Sequence, residues 1–152
     1  MKYKMEKPKL HLLLADDDID DCDFFKEATD EISDACNLSI VHNGVELMNF
    51  LSSENADLPN LIFLDLNMPR KSGMECLAEI KSSDQLSQIP IIIYSTSLDH
   101  TVVSELYQMG ALHYIQKPAE FSSIKTVIEK ALLLFNANVT PTCSREHFII
   151  QP

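Results

Sequence analysis

Short apolar runs alternate with segments in which apolar residues recur every three or four positions, and the alternation repeats five times. The runs occupy positions 10–15, 38–41, 61–64, 91–94 and 112–115. Each is long enough for a strand and too short for a helix, and the unbroken Ile91, Ile92 and Ile93 suit a strand covered on both faces. Between the runs, Ile19, Cys22, Phe25, Ala28 and Ile32 step along one face of a predicted helix. Leu47, Met48 and Leu51 do the same, as do Met74, Leu77 and Ile80, then Val102, Val103 and Leu106, and finally Phe121, Ile124, Ile128, Ala131 and Phe135. Asn43 with Glu46, and Ser72 with Glu75, have the capping-box spacing that starts a helix. Gly110 stands where a left-handed residue usually ends one. Strand–helix alternation of this kind predicts an α/β fold with right-handed crossovers and a parallel sheet carrying helices on both faces.

Two segments exceed the pattern. Val127, Leu132, Leu133 and Leu134 add apolar surface beyond the core-facing stripe of the last helix, enough to meet the chain's own tail or a partner. Residues 137–152 leave the alternation, with Asn, Thr, Pro and Ser first and an apolar clump at Phe148, Ile149 and Ile150. Sixteen residues are too few for a second core. The expected organisation is therefore one domain over 1–136 and a tail over 137–152 without its own fold.

The 152 residues carry a formal net charge of -11, with no Lys/Arg cluster, which disfavours nucleic acid as a partner. Four scattered cysteines, none in a C-x-x-C pair, read as reduced thiols. The first fifteen residues hold too short an apolar stretch for a signal peptide or membrane span, so a cytoplasmic location without membrane contact is expected.

Ligands of open parallel sheets bind beyond the carboxyl ends of the strands. There the first run ends in Asp16, Asp17 and Asp18, the third in Asp65, the fourth in Ser95, Thr96 and Ser97, and the fifth in Lys117 and Pro118. Carboxylates gathered at one edge repel, so either one keeps a proton or a hard cation joins them. Magnesium favours such oxygen ligands and commonly shares them with a phosphate. An aspartate can attack phosphorus to give an acyl phosphate, and the transfer needs mainly alignment and charge neutralisation. Lys117 and the cation would neutralise, and the Ser95 hydroxyl would hold a phosphoryl oxygen. Simpler roles exist for each group: helix capping for the acids and for Ser95 to Ser97, a turn at Lys117-Pro118, and a solvated acidic face for Asp20, Asp21 and Asp23. Their coincidence at four strand ends favours a site.

These residues resemble the receiver domain of bacterial response regulators over about positions 10–135. Leu12-Leu13-Leu14-Ala15-Asp16-Asp17-Asp18 is similar to the family's first strand and acidic pocket. Leu61-Ile62-Phe63-Leu64-Asp65-Leu66-Asn67-Met68-Pro69-Arg70-Lys71-Ser72-Gly73 is similar to its phosphorylation segment and is the most specific match. Positions 90–97, Gly110-Ala111, and Tyr114-Ile115-Gln116-Lys117-Pro118 resemble the later strands. The resemblance implies a flavodoxin-like receiver fold with five parallel strands in the order 2-1-3-4-5. It makes Asp65 the phosphoacceptor, with Asp17, Asp65 and the Asn67 backbone carbonyl ligating magnesium directly and Asp16 acting mainly through water. It gives Lys117 a contact to the phosphoryl group, ahead of a cis bond to Pro118, and makes Ser95 and Tyr114 the switch pair, Tyr114 swinging inward. It also implies a donor, a sensor histidine kinase or histidine phosphotransfer protein, and output through protein contacts on the face of the fourth helix, fifth strand and fifth helix. A homodimer is a further possible arrangement. On this reading the protein is a signalling switch that catalyses its own phosphorylation and dephosphorylation, not a turnover enzyme.

Three departures are visible. Ser95 replaces the commoner threonine and keeps the hydroxyl, Thr96 replaces a frequent alanine and would crowd Tyr114, and Asn67 and Ser97 flank the expected path of attacking water. Asn67-Met68-Pro69-Arg70-Lys71 and Thr96-Ser97 resemble a subgroup of stand-alone receivers that includes phytochrome-associated members. A haloacid-dehalogenase-like phosphatase using Asp16 is the alternative, since Asp16-x-Asp18 has its motif spacing, but Ile19-Asp20 breaks the usual continuation. With glycines only at 44, 73 and 110, a glycine-rich phosphate loop is excluded, so no nucleotide cofactor is expected. The five histidines show no ligand spacing and are expected at the surface or half-buried.

Overall fold

In the computed structural model, which describes residues 9–32, 36–54, 57–136 and 147–152, the element order is β1 Leu10–Ala15, α1 Ile19–Ile32, β2 Cys36–Val41, α2 Gly44–Ser52, β3 Leu61–Leu64, α3 Gly73–Lys81, β4 Ile91–Ser95, α4 His100–Gln108, β5 His113–Gln116, α5 Phe121–Asn136 and β6 Ile149–Ile150. All strand pairs are parallel, in the order β2-β1-β3-β4-β5-β6. The expected order holds for the first five strands. The count of five does not, because the apolar clump at the tail adds a sixth strand, with Ile149 opposite Tyr114 and Ile150 opposite Ile115. A parallel partner can dock there because the sheet otherwise ends at β5, leaving its backbone groups unpaired. Phe148 is buried beside β6, edge-on to Tyr107 of α4 at 5.3 Å, and Lys130 of α5 donates to the Gln151 carbonyl. Residues 147–152 are thus laid against the sheet edge between α4 and α5.

Alternation along the strands divides the core into two layers. Leu13, Ala15, Ile62, Leu64, Ile91 and Ile93 face α2, α3 and α4. Leu12, Leu14, Phe63, Ile92, Tyr94 and Ile115 face α1 and α5. In the second layer Phe25 of α1 meets the rings of Phe63 and Tyr94 edge-on, at 4.9 and 5.4 Å. The α1 stripe begins one turn later than its spacing suggests. Ile19 is 56% exposed, and packing starts at Cys22. On α5, Val127 and Leu132 join the core, whereas Leu133 is 70% exposed.

The caps are as predicted, with one shift. Asn43 accepts from the Glu46 amide and Ser72 from the Glu75 amide. Glu46 reaches back to the amide of His42 instead of that of Asn43. Asp99, rather than a residue of Ser95 to Ser97, caps α4 through the amides of Thr101 and Val102. Gly110 has the left-handed φ of 97° expected after α4. His113 departs from the expected surface or half-buried histidine: it is only 2% exposed, with Nδ1 3.2 Å from the Phe148 carbonyl. Burial holds its pKa below the ordinary histidine value. No helix among the described residues is long and apolar enough to cross a membrane.

Candidate functional site

Asp16, Asp65 and Lys117 each lie one residue beyond a strand, and backbone hydrogen bonds of the sheet continue into them. The Asp16 amide donates to the Val41 carbonyl at 3.0 Å, that of Asp65 to Ala15 at 2.9 Å, and that of Lys117 to Ser95 at 2.7 Å. The ladder therefore brings Asp16, Asp65, Ser95 and Lys117 to one edge. Below Asp65, Gly73 opens α3 so closely that a Cβ there would lie 2.1 Å from the Asp65 carbonyl oxygen. Between them the loop turns through Arg70, whose φ of 70° is left-handed and costs a non-glycine residue about 1 kcal/mol.

Lys117 is the centre of the cluster. Its Nζ lies 2.7 Å from Asp16 Oδ2, 2.9 Å from Asp21 Oδ2 and 3.3 Å from Asp65 Oδ2, and 5.5 Å from the centre of the Tyr94 ring. Burial would lower the lysine pKa, but the Asp16 and Asp21 carboxylates outweigh it and hold the ammonium above its ordinary value. The peptide from Lys117 to Pro118 is trans, contrary to expectation, as are all peptides among the described residues. Trans is the ordinarily favoured X–Pro isomer, and from it Lys117 reaches all three carboxylates.

Asp16 is fully buried. Its Oδ1 accepts from the Asp18 amide at 3.0 Å, while Oδ2 faces Lys117 without hydrogen-bond geometry. Burial raises its pKa from 3.8 to about 6, against the opposing pull of Lys117 and the Asp18 amide, and the charge of Asp65 adds to the rise. Asp17 is exposed, and one oxygen from each of Asp16, Asp17 and Asp65 fits within a span of 4.8 Å. A buried carboxylate oxygen lacking a hydrogen bond, in a set of three acids this close, fits a divalent cation. The Asn67 amide points at Asp65 Oδ1, 3.4 Å away.

A folded-state pKa above the unfolded one means that Asp16 holds a proton from about pH 4 to about 6 in the native state only. Without a cation, stability therefore declines as pH rises through that window. Cation and proton compete for the same oxygens. Affinity for magnesium or manganese, titrated calorimetrically, should weaken about tenfold between pH 7 and pH 5. A constant affinity would remove Asp16 from the cation site.

The switch residues lie beside this cluster. Ser95 is buried, with Oγ 3.3 Å from Ser97 Oγ. Tyr114 is buried and already turned inward, its hydroxyl donating to the Ser97 carbonyl. The expected crowding by Thr96 does not keep it out, because Thr96 is directed to solvent.

One site residue falls outside the sequence reading. Asp21, assigned there to a solvated face, binds Lys117. Helix α1 starts at Ile19, capped by Asp18 through the Asp21 amide, so Asp21 sits in the first turn and faces the site. Its place beside the buried Cys22 was the available signal. The Asp18 carboxylate is thus engaged in capping α1, a structural role that does not favour the Asp-x-Asp pair of the phosphatase alternative.

A model of the response regulator receiver domain matches residues 12–129. Response regulator Rcp1 of Synechocystis sp. is 32% identical over 133 residues, covering 85% of this chain and 90% of Rcp1. Two-component response regulator ARR17 of Arabidopsis thaliana is 29% identical over 126 residues, covering 77% and 81%. Among solved structures, the phosphorylated cyanobacterial phytochrome response regulator RcpA superposes with a TM-score of 0.80 at 32% identity, covering 87% of this chain and 97% of RcpA. The Mn2+-bound form of Rcp1 gives 0.78 at 31% identity, covering 88% and 98%.

Proposed function

Because the chain belongs to the response regulator receiver family, homologous to Rcp1 and RcpA, we propose that Asp65 is its phosphoacceptor and that residues 1–136 carry the receiver unit. The observation that carries this reading is the convergence of the Asp16 and Asp65 carboxylates within 3.3 Å of the Lys117 ammonium. Receiver domains of two-component systems take phosphoryl groups from histidine kinases or phosphotransfer proteins. The likeness to RcpA makes a phytochrome-type histidine kinase the first donor to test.

An Asp65 carboxylate oxygen forms the new bond to phosphorus while the P–N bond to the donor histidine breaks and the imidazole leaves with its electron pair. Lys117, already 3.3 Å from Asp65, balances charge on a phosphoryl oxygen, and the Ser95 hydroxyl takes another. Asp16, Asp17, Asp65 and the Asn67 carbonyl would hold magnesium, which suits this all-oxygen set. When bound, the ion neutralises negative charge on the acids and the phosphoryl oxygens. Asn67 and Ser97, both exposed, flank the approach of the water that later hydrolyses the acyl phosphate. Ser95 and Tyr114 carry the change to the face of α4, β5 and α5, where a protein partner reads it. The switch acts on itself and turns over no other substrate, and its place is the cytoplasm, where such kinases present their donor histidine.

Incubation with magnesium and acetyl phosphate, followed by intact mass, should show a single added phosphoryl group. Asp65→Asn should abolish it. Equal labelling of that variant, or none of the wild type, rejects the assignment.

A further inference from the structure

We infer that Asp21 is a positioning residue that shares the Lys117 ammonium with Asp16 and Asp65 and so sets how readily the lysine engages a phosphoryl group. This deepens the proposed function and rests on it for its consequence, though not for the placement itself. Lys117 Nζ is nearer to Asp21, at 2.9 Å, than to Asp65, at 3.3 Å. The Asp21 contact has hydrogen-bond geometry, whereas that with Asp16 Oδ2 does not. Asp16 lies nearer still, at 2.7 Å, so of the two acids that make a hydrogen bond to the ammonium in good geometry, Asp21 is the closer.

Its hold has a structural origin. Asp18 caps α1 by taking the Asp21 amide at 3.0 Å, which fixes the first turn and aims the Asp21 carboxylate across at the end of β5. At 30% side-chain exposure Asp21 is the most solvated of the three acids around the lysine. It is therefore the partner that gives up the ammonium at least cost, since water can take over its oxygen. Asp16, with no exposure, cannot. An arriving phosphoryl group competes for the same ammonium, and the exchange from Asp21 to phosphoryl oxygen is the step Asp21 controls.

The consequence is a gain on removing the carboxylate. In the full chain with magnesium, beryllofluoride, a phosphoryl stand-in, should bind Asp21→Asn roughly threefold to tenfold more tightly than wild type. Asp21→Glu, which keeps the charge, should stay near wild type. In a Lys117→Ala background the gain should vanish, because the effect runs through the lysine. Unchanged affinity in Asp21→Asn overturns the inference. So does a gain that persists without Lys117, which would mark plain repulsion between Asp21 and the anion. The placement is tested separately, without phosphate or metal, by NMR of the Lys117 ammonium. Asp21→Asn should shift its signal and speed its exchange with water, and an unmoved signal overturns the placement. A wild type that neither binds beryllofluoride nor accepts a phosphoryl group at Asp65 rejects the functional reading instead, and the ammonium signal still decides the role of Asp21.

Discussion

Lys117→Met should lose about 3–5 kcal/mol of stability at pH 7, the usual cost of removing one partner from a buried ion pair. The lysine side chain is 6% exposed, and the two acids left without it, Asp16 and Asp65, are 0% and 7% exposed. Neither can find water as a replacement. In the wild type Lys117 has a raised pKa, so its contribution is fully present below its ordinary value of 10.5 and disappears only above it. The loss in the variant will instead depend on the acids. Without the ammonium, the native pKa of Asp16 rises further above its unfolded value, so stability falls as pH rises past about 4 and goes on falling beyond the pH of about 6 where the wild type levels off. Urea unfolding at pH 5 and pH 7 should show a clearly smaller deficit at the lower pH. Millimolar magnesium should recover part of the deficit at pH 7, by binding the folded state only. An equal deficit at both pH values, unaffected by magnesium, would mean that Lys117 acts by packing its stem and not by its charge.

Gly73→Ala should cost about 1–3 kcal/mol or more and should also impair the chemistry of Asp65. Gly73 does not have a positive φ, so its requirement is one of space. An added Cβ would meet the Asp65 carbonyl oxygen at 2.1 Å, the Leu66 Cα at 2.8 Å and the Asp65 carbonyl carbon at 2.9 Å. All three are backbone atoms that no rotamer change can clear. Relief requires moving α3 away from β3 or displacing Asp65, and the 2.9 Å bond from the Gly73 amide to the Leu66 carbonyl resists the first. Labelling from acetyl phosphate should slow at least tenfold, the penalty expected when a reacting group moves by a fraction of an ångström. A variant with wild-type stability and labelling rate would show that the junction of β3 and α3 can yield.

Much of this arrangement was readable from the chain. Continuous apolar runs such as Ile91 to Ile93, short and β-branched, suit buried strands, and the acids directly after Ala15 and Leu64 share an edge once those strands are parallel. The strand order was not readable from periodicity and came from the family resemblance. Strand β6 escaped because two residues have no period, and because its docking depends on β5 offering an unpaired edge, a fact of the assembled sheet. Asp21 escaped because it is one of eight carboxylates between positions 16 and 30, and only the helix register separates the one that faces the lysine from those that face water. His113 escaped for the same reason as β6: the carbonyl that satisfies it comes from the tail.

The amides of Asp16, Asp65 and Lys117 are tied to the carbonyls of Val41, Ala15 and Ser95, so the chain beneath the chemistry is as stiff as the interior of the sheet. The site groups held outside that ladder are side-chain ends: the lysine ammonium, a serine hydroxyl and a tyrosine ring. An incoming donor therefore meets a platform that needs almost no ordering, and the free energy of transfer is left to reset those few groups.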